Sequence, residues 1–344
     1  MQTINVRNVH DALLRGIDLL SIGNIVESRN GAVYEASTPI TTVYLKPTER
    51  VLFWPERNAN PFFHFMEGLW MLEGRKDLGF VQTYNKRMVE YSDDGSTIHG
   101  AYGWRWRHHF DFDQIGIIIN TLEKDPHDRR CVLQMWDPTV DLDKPDGKDV
   151  PCNTCIYFKI DHEGCLQMTV SNRSNDIIWG AYGANAVHLS MLQEYVATCV
   201  GVPVGIYYQV SDSYHAYKEI YEELLEKFLA RDALDFYAQR TLKEFNPYTR
   251  EEVAPYPMIN TDLEKWTLDC SAFMRRHPFD THRWDNSFHD DFFNKVAVPI
   301  QDTWWLHKTG KAEEAMVEIQ GCAASDWRKA CWEWLARIND KEIS

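Results

Sequence analysis

Apolar positions recur along this chain with two different periods. Leu13, Leu14, Ile17, Leu19 and Leu20 fall at helical spacing and stop near Gly23, which predicts a helix over residues 10–20. The polar turn at residues 27–31 then leads to the β-rich run at residues 41–45, so Arg29 is expected on a loop. Residues 60–73 predict a largely buried helix, with Asn60 as its N-cap and Pro61 in its first position. Glu67 lies among the apolar residues of that helix. A carboxylate there is costly unless partnered, so Glu67 is either a structural acceptor or a working acid/base.

Further on, residues 100–107 (Gly-Ala-Tyr-Gly-Trp-Arg-Trp-Arg) are too rich in glycine and aromatics for an ordinary exposed loop, and either line a site or pack in the core. Residues 131–136 read as a strand. A polar connection at 137–149 follows, then a hairpin of 152–160 and 166–170 turning at Glu163 and Gly164. Leu189, Leu192, Tyr195, Val196 and Cys199 mark a helix that ends at Gly201 and Pro203, and residues 204–210 are again β-rich. The mixture predicts an α/β (α+β) fold. From about Tyr248 a loop-rich stretch is punctuated by Pro255, Pro257, Trp266, Trp284 and the pair Asp290 and Asp291. Trp327, Cys331, Trp334, Leu335 and Ile338 then form an amphipathic closing helix, a stripe read as core packing.

Composition narrows the functional classes. The chain has 344 residues, 44% of them hydrophobic, enough to bury one large core or two smaller ones. A heavy aromatic load of 13 Trp, 16 Tyr and 16 Phe favours a dense interior and a stacking surface for a flat ligand. The formal charge of −15 argues against nucleic-acid binding, which needs a basic stripe, but leaves room for a few arginines to hold a small phosphate. The first 15 residues lack a signal pattern, and no apolar run reaches the roughly 18 residues of a membrane span, so a cytoplasmic protein without a membrane partner is expected. Eight cysteines without regular spacing are expected as reduced thiols.

Among them Cys152 follows Pro151 at the mouth of a predicted strand, the position of a rigid, reachable thiol. With Cys155 it forms a C-x-x-C, which admits a metal or redox reading. Structural zinc needs four ligands, however, and no matching second pair exists, so no metal is expected. Two buried structural thiols are the plain alternative. Arg29, Arg129, Arg130 and Arg173 lie on separate polar segments. Converging guanidinium groups suit a phosphate monoester, and a nearby arginine favours a thiolate.

The ordered series Asp128-Arg129-Arg130, Pro151-Cys152, Arg173-Ser174-x-Asp176, residues 180–185 and His215-Ala216-Tyr217 resembles the motif series of the thymidylate synthase superfamily. Glu67-x-Leu69-Trp70 and Tyr102-Gly103 are also in place. The resemblance implies a mixed sheet with surrounding helices, a catalytic core over residues 1–245 and a helical C-terminal extension over 246–344. It implies a homodimer acting on a pyrimidine nucleoside monophosphate with 5,10-methylenetetrahydrofolate. Cys152 would add to C6 of the base, and C5 would take the one-carbon unit. Arg29, Arg173 and Ser174 would hold the phosphate, with Arg129 and Arg130 reaching across from the partner subunit. His215 and Tyr217 would bind the sugar, Asp176 the pterin and Asn185 the base edge, while Glu67 and Tyr102 would run the proton network.

Departures from the pattern indicate which kind of member this is. The synthases have a shielding Trp where this chain has Met88, or Val89 with a one-residue shift. Asn153 replaces the His after the nucleophile, Asp212-Ser213 replaces a Gly-Asp pair, and the C-terminal tail is replaced by an unrelated Trp-rich stretch. Without the shield, water can reach the exocyclic methylene before hydride does. The expected reaction is therefore hydroxymethylation of dUMP or dCMP, as in phage and antibiotic-pathway hydroxymethylases. The alternatives are thymidylate synthesis from dUMP and, from another class, a metal-binding or interaction protein using its C-x-x-C. An Asn at 185 leans toward uracil, because deoxycytidylate hydroxymethylases favour Asp there. The segment 180–185 is also one residue longer than the synthase pattern.

Overall fold

The computed structural model describes residues 1–144, 147–230, 245–276 and 288–343, the last four by backbone alone. Trp284 and two residues of the 137–149 connection, 145 and 146, lie outside these. The predicted first helix is α1, Val9–Leu20, capped by the Asn8 side chain, which accepts the Asp11 N–H. The chain also builds one eight-stranded mixed sheet. Its strands are β1 (Gln2–Val6), β2 (Asn24–Ser28), β3 (Gly31–Glu35), β4 (Ile40–Tyr44), β5 (Val132–Gln134), β6 (Asn153–Ile160), β7 (Leu166–Asp176) and β8 (Val204–Tyr217). They lie in the order β1-β4-β8-β7-β6-β5, and the β2–β3 hairpin joins through β3 to β8.

The two central strands run parallel, and both are longer than the apolar pattern indicates. Residues 171–176 and 211–217, polar in sequence, continue β7 and β8, pairing Asn172 with Ser211, Ser174 with Ser213 and Asp176 with His215. Arg173, Ser174 and Asp176 therefore stand on a strand although their segment is polar, because each polar strand end satisfies its backbone on the other. Paired residues of a parallel ladder share a face, so this register brings three motif residues together.

Helix α2 (Pro61–Leu72) is buried along its entire length, with Asn60 accepting the Phe63 N–H at its start. It crosses α3 (Asn185–Val200) at Gly68, where an added Cβ would fall 2.4 Å from Met191 Sδ. On another side the short helix Tyr102–Arg107 abuts it so closely that a Cβ on Gly103 would lie 1.9 Å from the Met71 carbonyl oxygen. That contact seats Tyr102 beside Glu67's helix. Buried Arg105 anchors the same short helix through paired bonds of 2.7 and 2.8 Å to Asp141.

Described residues after Tyr248 cover α2 from outside. Trp304 and Trp334 pack on Phe62, and Trp327 and Phe292 on Phe65. Burying a side chain such as Phe62 or Phe65 is worth about 1.5–3 kcal/mol, so this aromatic layer holds α2 rigid. The closing helix, Ser325–Ile343, buries Trp327, Cys331, Trp334 and Leu335 as its spacing predicts. No described helix is long and apolar enough to cross a membrane.

Candidate active site

Two cavities lie side by side where the C-terminal ends of β7 and β8 meet α2. The first, of about 620 Å³, is lined by Arg29, Cys152, Arg173, Ser174, His215 and Tyr217 among others. The second, of about 450 Å³, is lined by Glu67, Met88, Tyr102, Trp179, Asn185 and His188 among others. Tyr91 and Asp149 belong to both walls, so the cavities adjoin there. Among the described residues, none after Tyr217 lines either one.

Cys152 precedes β6 and is held by Arg173. The Arg173 backbone N–H donates to the Cys152 carbonyl at 2.9 Å, and its guanidinium donates to the carbonyls of Pro151 and Val150 at 2.9 and 2.8 Å. The thiol is thereby fixed in place, as a Pro-Cys strand mouth suggests. Its protonation departs from expectation, since burial pushes its pKa up and outweighs the lowering by Arg173, while Asp149 and Asp176 push it further up. In the unliganded site the group is a thiol. Cys155 turns instead to Tyr157, its Sγ 3.3 Å from the hydroxyl.

Around the sugar-binding motif, the Ser213 hydroxyl donates to the Glu35 carboxylate and lies 3.1 Å from His215 Nδ1. Asn30 Nδ2 donates to the Tyr217 hydroxyl at 3.4 Å, which ties the β2–β3 turn carrying Arg29 to the end of β8. Arg29 itself donates to the Gly147 carbonyl at 3.4 Å. Arg129 and Arg130 do not line this chain's own cavity. Arg130 is 87% exposed at its side chain and pairs with Asp128.

The second cavity is built of buried groups. Burial, with a smaller push from Asp149, raises the Glu67 pKa to about 8, and burial lowers that of His188 to about 3. The His188 ring and the Glu67 carboxyl are 3.3 Å apart, yet both are neutral near pH 7, so they are no ion pair. His64, also buried and neutral, stands edge-on to His188. Burial likewise pushes the Tyr102 phenol up.

Asn185 opens α3 after a π-helical turn, Ile177–Ala184, in which Tyr182 and Gly183 leave helical geometry. A π turn absorbs an extra residue without ending the helix, so the longer 180–185 segment still delivers Asn185 to the cavity wall. Its Nδ2 donates to Asn175 Oδ1 at 3.2 Å, leaving one amide N–H and the carbonyl oxygen for a ligand. Asp176 Oδ1 caps the π turn by accepting from Ile178 and Trp179 at 2.7 Å each. Among the described residues, Asp176 Oδ2 and both amide atoms of Asn153 are buried without a hydrogen-bond partner. Orphaned buried polar atoms clustered beside a nucleophile are what a ligand site leaves for its ligand. Of the two positions aligned with the shielding Trp, Met88 lines the cavity and Val89 is exposed.

Comparison with known proteins agrees with this geometry. The thymidylate synthase family model matches residues 57–254, and the chain belongs to that family of one-carbon transferases. A deoxyuridylate hydroxymethyltransferase of Pseudomonas phage M6 is 46% identical over 342 residues, covering 98% of this chain and 94% of that protein. The enzyme of the same name from Bacillus phage SP01 is 38% identical over 219 residues, 60% of this chain and 57% of that one. The crystal structure of thymidylate synthase from T4 phage superposes with a TM-score of 0.50 at 19% identity, over 63% of this chain and 79% of that one, and attests the shared fold.

Arg57, His64, Asp149, Trp179 and His188 line the site but went unmarked in the sequence. Only His64 carried a signal, lying three residues before Glu67 and so on the same helix face.

Proposed function

We propose that this chain hydroxymethylates C5 of dUMP, using 5,10-methylenetetrahydrofolate as one-carbon donor. The observation that carries the reading is the adjoining pair of cavities, with Cys152 beside arginines in one and Glu67 and Asn185 in the other. The phosphate binds Arg29, Arg173 and Ser174, and the sugar binds His215 and Tyr217. In a homodimer, Arg129 and Arg130 complete the partner subunit's phosphate site. The Cys152 thiolate attacks C6, and the Asn185 amide meets O4 and N3–H of uracil as donor and acceptor. Glu67, protonated below about pH 8, donates toward O4 and relays protons with Tyr102.

For the donor, the fit rests on Asp176 Oδ2, a buried acceptor without a protein partner, and on Trp179, whose ring is held by Arg57 at 4.3 Å. The first suits a pterin N–H and the second a flat ring face. The donor supplies the methylene carbon that becomes attached to C5. With Met88 in place of a large shielding ring, water has a path to that carbon. The described residues after Tyr248 act as a scaffold that fixes α2 and line neither cavity.

The test is incubation with methylenetetrahydrofolate and dUMP, dCMP or CMP in turn, followed by product mass and folate analysis. We expect a 5-hydroxymethyl product from dUMP together with tetrahydrofolate. Dihydrofolate and a 5-methyl product would overturn the reading.

A further inference from the structure

Asp149 stands at the junction of the two cavities, three residues before Cys152, and is part of both walls. Its Oδ2 accepts the Gly100 N–H at 2.7 Å. The seat is shaped for a carboxylate, since a Cβ at Gly100 would lie 2.8 Å from Oδ2 and 2.9 Å from Oδ1. Only glycine leaves that room. The neighbouring His99 is fixed in turn, its Nε2 lying 2.8 Å from the Asp141 carboxylate that Arg105 also grips. Among the described residues, Gly100 is the single hydrogen-bond donor to the Asp149 carboxylate, which leaves Oδ1 for a water.

Resting on the hydroxymethylation reading, we propose that Asp149 is the catalytic base that holds water and takes its proton as the oxygen adds to the exocyclic methylene at C5. The water oxygen bonds to the methylene carbon, and one water proton passes to the Asp149 carboxylate. The electron pair of the exocyclic double bond moves through C5 and C4 onto O4. Collapse of that enolate re-forms the C5=C6 bond and expels the Cys152 thiolate, so no oxidant or reductant is needed. Two features favour Asp149 over Glu67. Glu67 is protonated near neutral pH, whereas the rise that burial imposes on Asp149 is opposed by the Gly100 N–H and by the nearby Arg105 guanidinium. Asp149 also reaches both cavities, and a water between nucleotide and donor must lie at their junction.

Asp149→Asn keeps an acceptor for Gly100 and removes the base. With enzyme in excess over C5-tritiated dUMP, we expect tritium release in a single turnover within a few-fold of wild type. Hydroxymethyl product should fall about 100-fold or more, the usual scale of a lost general base. Added 2-mercaptoethanol should then be captured as a thioether on the methylene carbon. Wild-type product formation by Asp149→Asn would overturn the proposal, as would tritium release and product falling together, the mark of a merely structural role. A wild-type enzyme that releases tritium but makes no hydroxymethyl nucleotide would instead overturn the reaction reading, and this proposal with it.

Discussion

The two cavities differ in how they hold charge. In the cavity containing Cys152, cationic side chains such as those of Arg29 and Lys148 stand on an exposed turn and on an exposed connection. In the cavity containing Glu67, three groups at its heart are buried and neutral, Glu67 protonated and His64 and His188 unprotonated. An exposed charge is screened and individually weak, whereas a buried ionisable group has its proton affinity moved by whole units. The first arrangement suits capture of a charged ligand, and the second suits proton handling during reaction. Cys152 belongs to the capturing cavity yet shares the burial of the other, and its raised thiol pKa records that mixed position. Binding of a phosphate dianion among the arginines will not by itself make the thiolate, so its proton must leave along the path to the second cavity.

This contrast is broken most severely at Cys152. Cys152→Ser should abolish turnover while dUMP still binds, measured by product mass and by calorimetric titration, because a hydroxyl is far less ready than a thiol to ionise and attack C6. Full activity in that variant would remove the covalent mechanism. Glu67→Gln comes next. A lost general acid costs about 10²–10⁴-fold, and the loss should lie in kcat with dUMP binding nearly unchanged. The same variant checks the electrostatics. Difference infrared spectra of wild type minus Glu67→Gln should show a protonated carboxyl band that disappears as pH rises through about 8 in the unliganded enzyme. A midpoint in the ordinary carboxylate range would mean that the second cavity admits water, and the contrast between the two would fail.

The long, periodically buried elements were legible in the sequence because periodic burial leaves a periodic pattern, whereas the short strands Gln2–Val6, Asn24–Ser28 and Gly31–Glu35 were not. The helices Val9–Leu20, Pro61–Leu72 and Asn185–Val200 were readable, as was the hairpin at Gly164. The ends of β7 and β8 were not, and the reason is the site itself. Ser174, Asp176, Ser213 and His215 are kept polar for a ligand, so they erase the apolar alternation that marks a strand. Residue types in the first cavity followed from the motif series alone. Asp149 did not, because its meaning depends on Gly100, 49 positions earlier, coming within hydrogen-bond reach. His188 reads as one more polar residue on a buried helix until α3 lies across α2 and brings it to Glu67. The choice between Met88 and Val89 likewise needed the three-dimensional structure, since adjacent positions in the short helix Lys86–Tyr91 face different surroundings.

The mildest expected effect lies at Arg29, where the contrast between the cavities is also sharpest. Its side chain sits on the exposed turn before Gly31, and Gly31 adopts a φ of 114° that permits the tight reversal. The turn is tied to Tyr217 through Asn30 and to Gly147 through Arg29 itself, so Arg29→Ala should leave the β2–β3 hairpin paired and remove one guanidinium from the phosphate. A hydrogen bond to a charged group is worth about 1.5–3 kcal/mol, and exposure to water places Arg29 at the low end. KM for dUMP should therefore rise about 10-fold, with kcat unchanged and a shallower dependence of KM on salt than in wild type. A fall in kcat at constant KM would instead show that Arg29 acts on the reacting ring, and the division of the site into a capturing cavity and a reacting cavity would have to be abandoned.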